Sequence, residues 1–240
     1  MISVRYISLF FLILFIGSNS TEGKKLNDHV MNRPYADSRA WHLGFSVGMQ
    51  FQDLHISHTG EIAFDGTQWF MEQPSTSPGF CVNGLIDFRL SRFFNVRFNP
   101  GIYFGSKTIE MLENNRQEKI SQNIKSTYLV FPFDLKFSSI RYRNSRPYLS
   151  AGLMPTVDLT AKKGDYLRLK PFDIYLTVGI GCDFYLPYFK FIPEIKFCFG
   201  LCDVMQHNRT DLTDDPGTYR FTKAVKRATS SMVVLTFYFE

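Results

Sequence analysis

From Trp41 onward the chain alternates apolar and polar positions. Trp41, Leu43, Phe45, Val47, Met49 and Phe51 interleave with His42, Gly44, Ser46, Gly48 and Gln50. A period of two is the signature of a strand with one apolar face. The pattern recurs seven more times. Phe80, Val82, Ile86, Phe88 and Leu90 oppose Cys81, Asn83, Asp87 and Arg89. Phe94, Val96, Phe98, Ile102 and Phe104 oppose Asn95, Arg97, Asn99 and Tyr103. Leu129, Phe131, Phe133, Leu135 and Phe137 oppose Tyr128, Asp134 and Lys136. A fifth strand sets Leu149, Ala151, Leu153 and Val157 against Tyr148, Ser150, Gly152 and Thr156. A sixth sets Phe172, Ile174, Leu176, Val178, Ile180 and Phe184 against Asp173, Tyr175, Thr177, Gly179 and Asp183. A seventh sets Phe189, Phe191, Ile195, Phe197 and Phe199 against Lys190, Glu194, Lys196 and Gly200. The eighth sets Val233, Leu235, Phe237 and Phe239 against Thr236 and Tyr238.

Strands of about 9–13 residues fit the ~9–11 that a tilted strand needs to cross a bilayer. Their connections alternate in length. Residues 52–79, 105–127, 158–171 and 200–231 are long, 91–93 and 185–188 are tight, and 138–146 is intermediate. Outer-membrane barrels have long loops outside and short turns in the periplasm.

Alternation alone also fits a soluble lipocalin-like barrel, so the chemistry of the faces decides. The apolar face carries no charge, and Phe alone supplies 25 of 240 residues. An eight-stranded interior is only just wide enough for side chains, too narrow for so many rings. The expected fold is therefore all-β: an eight-stranded antiparallel transmembrane β-barrel of outer-membrane type.

The polar face then points inward. It carries Asp87, Arg89, Arg97, Asp134, Lys136, Asp173, Asp183, Lys190, Glu194 and Lys196, five acids and five bases. Buried charges must be paired, so the expectation is an interior salt-bridged network. A substrate or ion path through these residues is the alternative. Pro100, Pro132, Pro155 and Pro193 fall inside strands, where a closed barrel has no free edge for them. Bulges or local kinks are expected there, and a bulge would shift the side-chain parity.

The first residues read as an export signal. Arg5 precedes the apolar run Tyr6 to Ile16, and Gly17, Ser18, Asn19 and Ser20 offer a cleavage site after Ser20. The run is too short to span a bilayer as a helix, and no Cys before Cys81 offers a lipid anchor. The expected domains are a signal peptide over 1–20, a periplasmic segment over 21–40 and the barrel over 41–240. The net charge of +5 is scattered, with no basic stripe for nucleic acid.

Candidate chemistry is sparse. His29, His42, His55, His58 and His207 form no ligand set, although His55 and His58 share a spacing of three. Asp211, Asp214 and Asp215 lack the order of a calcium loop. Ser57, Glu61 and His58 lie together in one segment rather than converging from strands, so a lipid-modifying site is not expected. No catalytic residue, cofactor, metal or small-molecule substrate is expected. Cys81, Cys182, Cys198 and Cys202 are expected mostly as free thiols, Cys198 and Cys202 lying roughly 13 Å apart along a strand. Ile109 to Ser121, rich in Glu, Asn, Gln and Lys, is expected as a solvated loop with a short helix.

The block Asn32-Arg33-Pro34-Tyr35-Ala36-Asp37, followed by Trp41-His42-Leu43-Gly44-Phe45-Ser46-Val47-Gly48-Met49-Gln50-Phe51-Gln52-Asp53, resembles the start of the PorT-like outer membrane β-barrel family. The similarity continues through Phe131-Pro132-Phe133-Asp134-Leu135-Lys136-Phe137 and the final aromatic strand. That strand also resembles the signal by which outer-membrane barrels are recognised for assembly, with Glu240 after Phe239 a departure. The resemblance implies a non-catalytic accessory or assembly role in type IX secretion, which exports proteases and gliding adhesins. It implies outer-membrane lipid and other secretion-system proteins as partners, with Arg33, Pro34, Tyr35 and Asp37 as contact residues. The alternative is a structural or adhesive OmpA-like barrel that presents its loops to an external ligand.

Overall fold

The computed structural model describes residues 31–58, 69–72, 77–113, 119–160, 169–206 and 225–240. The expected signal peptide, His29, Glu61, His207, Asp211, Asp214 and Asp215 lie outside them, as does the side chain of His58. Among the described residues a 3-10 turn, Ala36–Ser38, leads into eleven strands. They are β1 (Trp41–His58), β2 (Trp69–Glu72), β3 (Pro78–Arg89), β4 (Phe94–Phe98), β5 (Gly101–Glu113), β6 (Lys119–Val130), β7 (Phe133–Ser138), β8 (Ser145–Asp158), β9 (Phe172–Tyr185), β10 (Lys190–Gly200) and β11 (Val225–Phe239).

These eleven segments make eight staves. β4 and β5 pair with β3 in one continuous register, through Ile86↔Phe98 and Asn83↔Gly101. β6 and β7 form one stave in the same way, pairing with β5 and β4 and with β8. β2 pairs with β5 through Trp69↔Glu113. All neighbours are antiparallel, and β1 closes the ring by pairing with both β3 and β11. Following the registers once around returns to β1 with a stagger of about ten residues, which fits the ~35–45° tilt usual for barrels.

The expected parity shifts at the prolines do not occur. Register runs unbroken past Pro100, Pro132, Pro155 and Pro193. A proline loses its N–H but keeps its carbonyl. Gly84 N donates to Pro100 O at 2.8 Å, Asn99 N to Pro132 O at 3.1 Å, and Phe131 N to Pro155 O at 3.0 Å. Each of these three prolines therefore removes one reciprocal ladder bond and leaves the register alone. The three interruptions lie on adjacent staves and form one diagonal seam. The register shift in the β1–β11 pair falls instead between Ser57 and His58.

Outward positions are exposed and apolar. Trp41, Leu43, Phe45, Val47, Met49 and Phe51 on β1 are all exposed, as are Phe133, Leu135 and Phe137 on β7. Rings stack along the wall, with Phe45–Phe239 centroids 5.3 Å apart and Phe80–Phe104 5.1 Å apart. Ten residue steps from Trp41 to Phe51, at ~3.3 Å each and tilted by ~40°, give an apolar belt about 25 Å tall. Water rejects such a surface and a hydrocarbon layer accepts it.

The ladders outrun the belt at the long-loop end. β1 continues to His58, and β5 and β6 pair from Gly101↔Val130 up to Leu112↔Lys119. The long connections are thus shorter than expected. Ile109 to Glu113 and Lys119 to Ser121 are strand rather than helix, because ladder bonding outweighs local propensity. His55 and Ser57 lie on β1 rather than in a loop.

Candidate functional site

Inward parity brings charges from several staves to the short-turn half of the lumen. Arg97 of β4, fully buried, sits at the centre. Its Nη1 lies 2.9 Å from Glu194 Oε2 and its Nε 3.4 Å from Asp87 Oδ2. The rings of Tyr148 and Tyr238 lie 5.1 and 4.9 Å from the guanidinium carbon. Lys196 Nζ bridges Asp134 Oδ2 at 2.5 Å and Glu194 Oε1 at 3.2 Å. Lys136 Nζ meets both oxygens of Asp183 at 2.8 Å. Lys190 Nζ bridges Asp183 Oδ2 at 3.4 Å and Glu240 Oε2 at 3.1 Å.

Neutral donors fill the remaining acceptor positions. Tyr148 Oη donates to Glu194 Oε2 at 2.6 Å, Thr177 Oγ1 to Asp134 Oδ1 at 2.8 Å, and Asn95 Nδ2 to Asp87 Oδ1 at 2.6 Å. Arg97, Lys136, Lys190 and Lys196 thus balance Asp87, Asp134, Asp183 and Glu194. Glu240 joins them at the rim through Lys190 and His42, and each ion finds partners from other staves.

Two expected members stand apart. Arg89 has inward parity, but it lies past the last enclosed level and is exposed, with Nε on Ser91 O at 3.4 Å. Asp173 is buried in the long-loop half, where Ile174 N donates to its Oδ1 at 2.8 Å. It lines a cavity of about 10 Å³ with Lys107, Tyr128, Asp158, Tyr175 and Ser230. Such a volume holds about one water. Between the halves lies an apolar and aromatic layer that includes Cys81, Tyr103, Val130, Met154, Cys198, Met232 and Val234. All four cysteines are free.

Among the described residues, chain segments pack at both mouths. At the long-loop end Leu169 bridges Met205, Lys170 N donates to Val204 O at 2.8 Å, and Val204 and Met205 are buried. At the short-turn end the segment before β1 forms a lid. Arg33 Nη1 donates to Glu240 O at 3.1 Å, and Asn32 Nδ2 to Tyr185 O at 3.0 Å. Asp37 accepts from Tyr185 Oη and lies 3.4 Å from Arg146 Nη1 and 3.6 Å from Arg141 Nη1. Arg141 also donates to the carbonyls of Asn32 and Arg33, and its guanidinium stacks 3.5 Å from the Tyr185 ring.

Of the expected contact residues, Arg33 and Asp37 are therefore engaged within the chain. Pro34 and Tyr35 are exposed, Tyr35 at 80%. Behind the lid His42 Nδ1 lies 2.8 Å from Glu240 Oε1. Burial alone raises the Glu240 carboxyl, but the His42 hydrogen bond and the Lys190 charge outweigh it and hold it well below the usual range.

Sequence reasoning missed Lys107, whose Nζ reaches Tyr128 Oη and Ser230 Oγ, both at 3.1 Å. Its parity with Tyr103 on the same stave was the available signal. It also missed Arg141, Arg146 and Glu240. Among the described residues, no group of three His, Cys, Asp or Glu converges to hold a metal ion, and no helix is long and apolar enough to cross a membrane.

No curated protein matches the chain. Among solved structures it is similar to Neisserial surface protein A, at 10% identity and TM-score 0.46 over 83% of this chain and 98% of that one. It is also similar to the outer membrane protein OprG from Pseudomonas aeruginosa, at 12% identity and TM-score 0.42 over 83% of this chain and 90% of that one. The outer membrane protein beta-barrel domain family matches residues 28–206, well over half of the chain. With the closed ring of staves and the exposed apolar belt already in place, that match settles the affiliation: the chain belongs to the outer membrane protein beta-barrel domain family and is an outer-membrane protein.

Proposed function

We propose that this barrel is a non-catalytic accessory or assembly component of the type IX protein secretion system, of the PorT kind. The observation that carries the reading is the lumen. Its short-turn half is filled by paired charges, and the segment before β1 packs across the mouth at that end. A barrel filled in this way passes no folded protein, so it acts through its rims and outer wall. The secretion system itself comes from the resemblance over residues 32–53, which also includes the exposed pair Pro34 and Tyr35.

Deleting the gene tests this. Export of type IX proteases and gliding adhesins should fall, and the wild-type chain should restore it. A variant with Pro34 and Tyr35 replaced should restore it poorly while still inserting as a heat-modifiable barrel. Unchanged export in the deletion strain sinks the proposal. An adhesive barrel predicts the reverse sensitivity, with binding lost on replacing residues 59–68 or 207–224 and export intact.

A further inference from the structure

The outer wall carries a groove at the upper edge of the apolar belt, towards the long loops. The β3–β5 ladder stops at Phe80↔Phe104, whereas β5–β6 pairs on from Phe104↔Thr127 to Leu112↔Lys119. Pro78 has no N–H with which to extend the first ladder, and Gly79 and Gly105 add no side chains. An open groove of about 590 Å³ lies there, lined by these three residues with Met49, Phe80, Phe104, Ser106, Lys125 and Thr127. That volume falls within the ~300–1,000 Å³ usual for ligand pockets.

Two chemistries meet in it. Phe80 and Phe104 stack with centroids 5.1 Å apart, and both are exposed on the belt together with Met49. Thr127 is the ladder partner of Phe104, and two residues further up Lys125 is the partner of Ser106. Residues opposite one another in a ladder share a face, so a cation and two hydroxyls stand directly above the aromatic floor. Lys125 is exposed, and no carboxylate among the described residues pairs with it. Asp53 and Glu110 are acids of outward parity nearby on β1 and β5, but neither lines the groove.

The depth in the membrane decides the occupant. The belt faces hydrocarbon, so an apolar groove within it takes acyl chain in preference to water. At the belt's edge hydrocarbon gives way to headgroups. Long loops face the outside, where the leaflet of an outer membrane is built of a phosphorylated glycolipid. We propose that this groove binds one such glycolipid. An acyl chain lies on Met49, Phe80 and Phe104, the Lys125 ammonium pairs with a phosphate, and the hydroxyls of Ser106 and Thr127 donate to headgroup oxygens. A lysine meets phosphate as a point charge, which suits a headgroup held at one edge only.

The test titrates the full chain in detergent with bis-phosphorylated lipid A, with its dephosphorylated form and with phosphatidylglycerol. Bound lipid is counted by native mass spectrometry. Wild type should retain one lipid A in preference to the other two. K125Q should weaken lipid A about fivefold, the order expected of one lysine at a charged headgroup, and leave the dephosphorylated form unchanged. S106F fills the groove from the outer face and should weaken both forms. R227Q, at the same rim but outside the groove, should behave as wild type. Heat-modifiability confirms that each variant is folded. Unchanged binding in K125Q, an equal loss in R227Q, or equal affinity for phosphatidylglycerol overturns the site. So does a dimer that S106F abolishes, which would assign the groove to a second copy of the chain.

Discussion

The two halves of the lumen are built on different principles. The short-turn half is cross-braced by ions: Arg97 on β4 reaches Asp87 on β3 and Glu194 on β10. The long-loop half relies mostly on neutral groups. Lys107 there meets two hydroxyls, Ser126 Oγ donates to Gln52 Oε1 at 3.0 Å, and buried Gln50 keeps an Oε1 with no partner among the described residues. An ion whose partner is removed is stranded in a dry interior, whereas a hydroxyl or amide loses one modest bond. The halves should therefore differ sharply in tolerance.

The sharpest way to break that contrast is Arg97→Met. It leaves Asp87 with no cation and Glu194 with Lys196 alone, and should cost about 3–5 kcal/mol, read as a lower urea midpoint for loss of the heat-modifiable band. Lys136→Met is milder, because Asp183 keeps Lys190 at 3.4 Å. About 1.5–3 kcal/mol is expected, the worth of a charged hydrogen bond. Lys107→Met should cost only about 1 kcal/mol by the same measurement. Equal losses for Arg97→Met and Lys107→Met would abolish the distinction.

Two further outcomes sharpen it at the mouth. Asp37→Asn removes the charge shared by Arg141 and Arg146, so trypsin should cut after Arg39 faster while the barrel stays folded. The smallest effect concerns acid. The Glu240 carboxyl is held below its ordinary value of 4.5. Its contribution is therefore complete above pH 4.5 and declines as pH falls below that value. The unfolding midpoint should drop on going from pH 4.5 to strongly acidic buffer, and the drop should be smaller in Glu240→Gln.

The belt was legible because lipid demands contrast. Phe131, Phe133, Leu135 and Phe137 face hydrocarbon while Asp134 and Lys136 face inward, so period two is plain in the residue types. Above the belt that contrast fades. Outward Asp53, His55 and Ser106 are as polar as an inward Lys107, yet the ladder continues, because backbone bonding needs no apolar face. That is why β1 ran past Phe51 unseen and Lys107 was assigned to a loop. Arg89 shows the limit of parity at the other end, since inward has no meaning below the last enclosed level. The lid was invisible for another reason. Asp37 finds Arg141 and Arg146 more than a hundred positions away, a pairing that no local pattern encodes.

The proline seam has a mechanical consequence. A tube whose hoop bonds are complete resists flattening equally all round. Here the reciprocal bonds to the carbonyls of Gly84, Asn99 and Phe131 are missing along one diagonal. Changes in cross-section, under lateral pressure from the bilayer or a neighbouring protein, concentrate along that line between β3 and β8. Pro193 leaves a separate gap between β10 and β9, where Ile192 and Pro193 have no partners in the ladder.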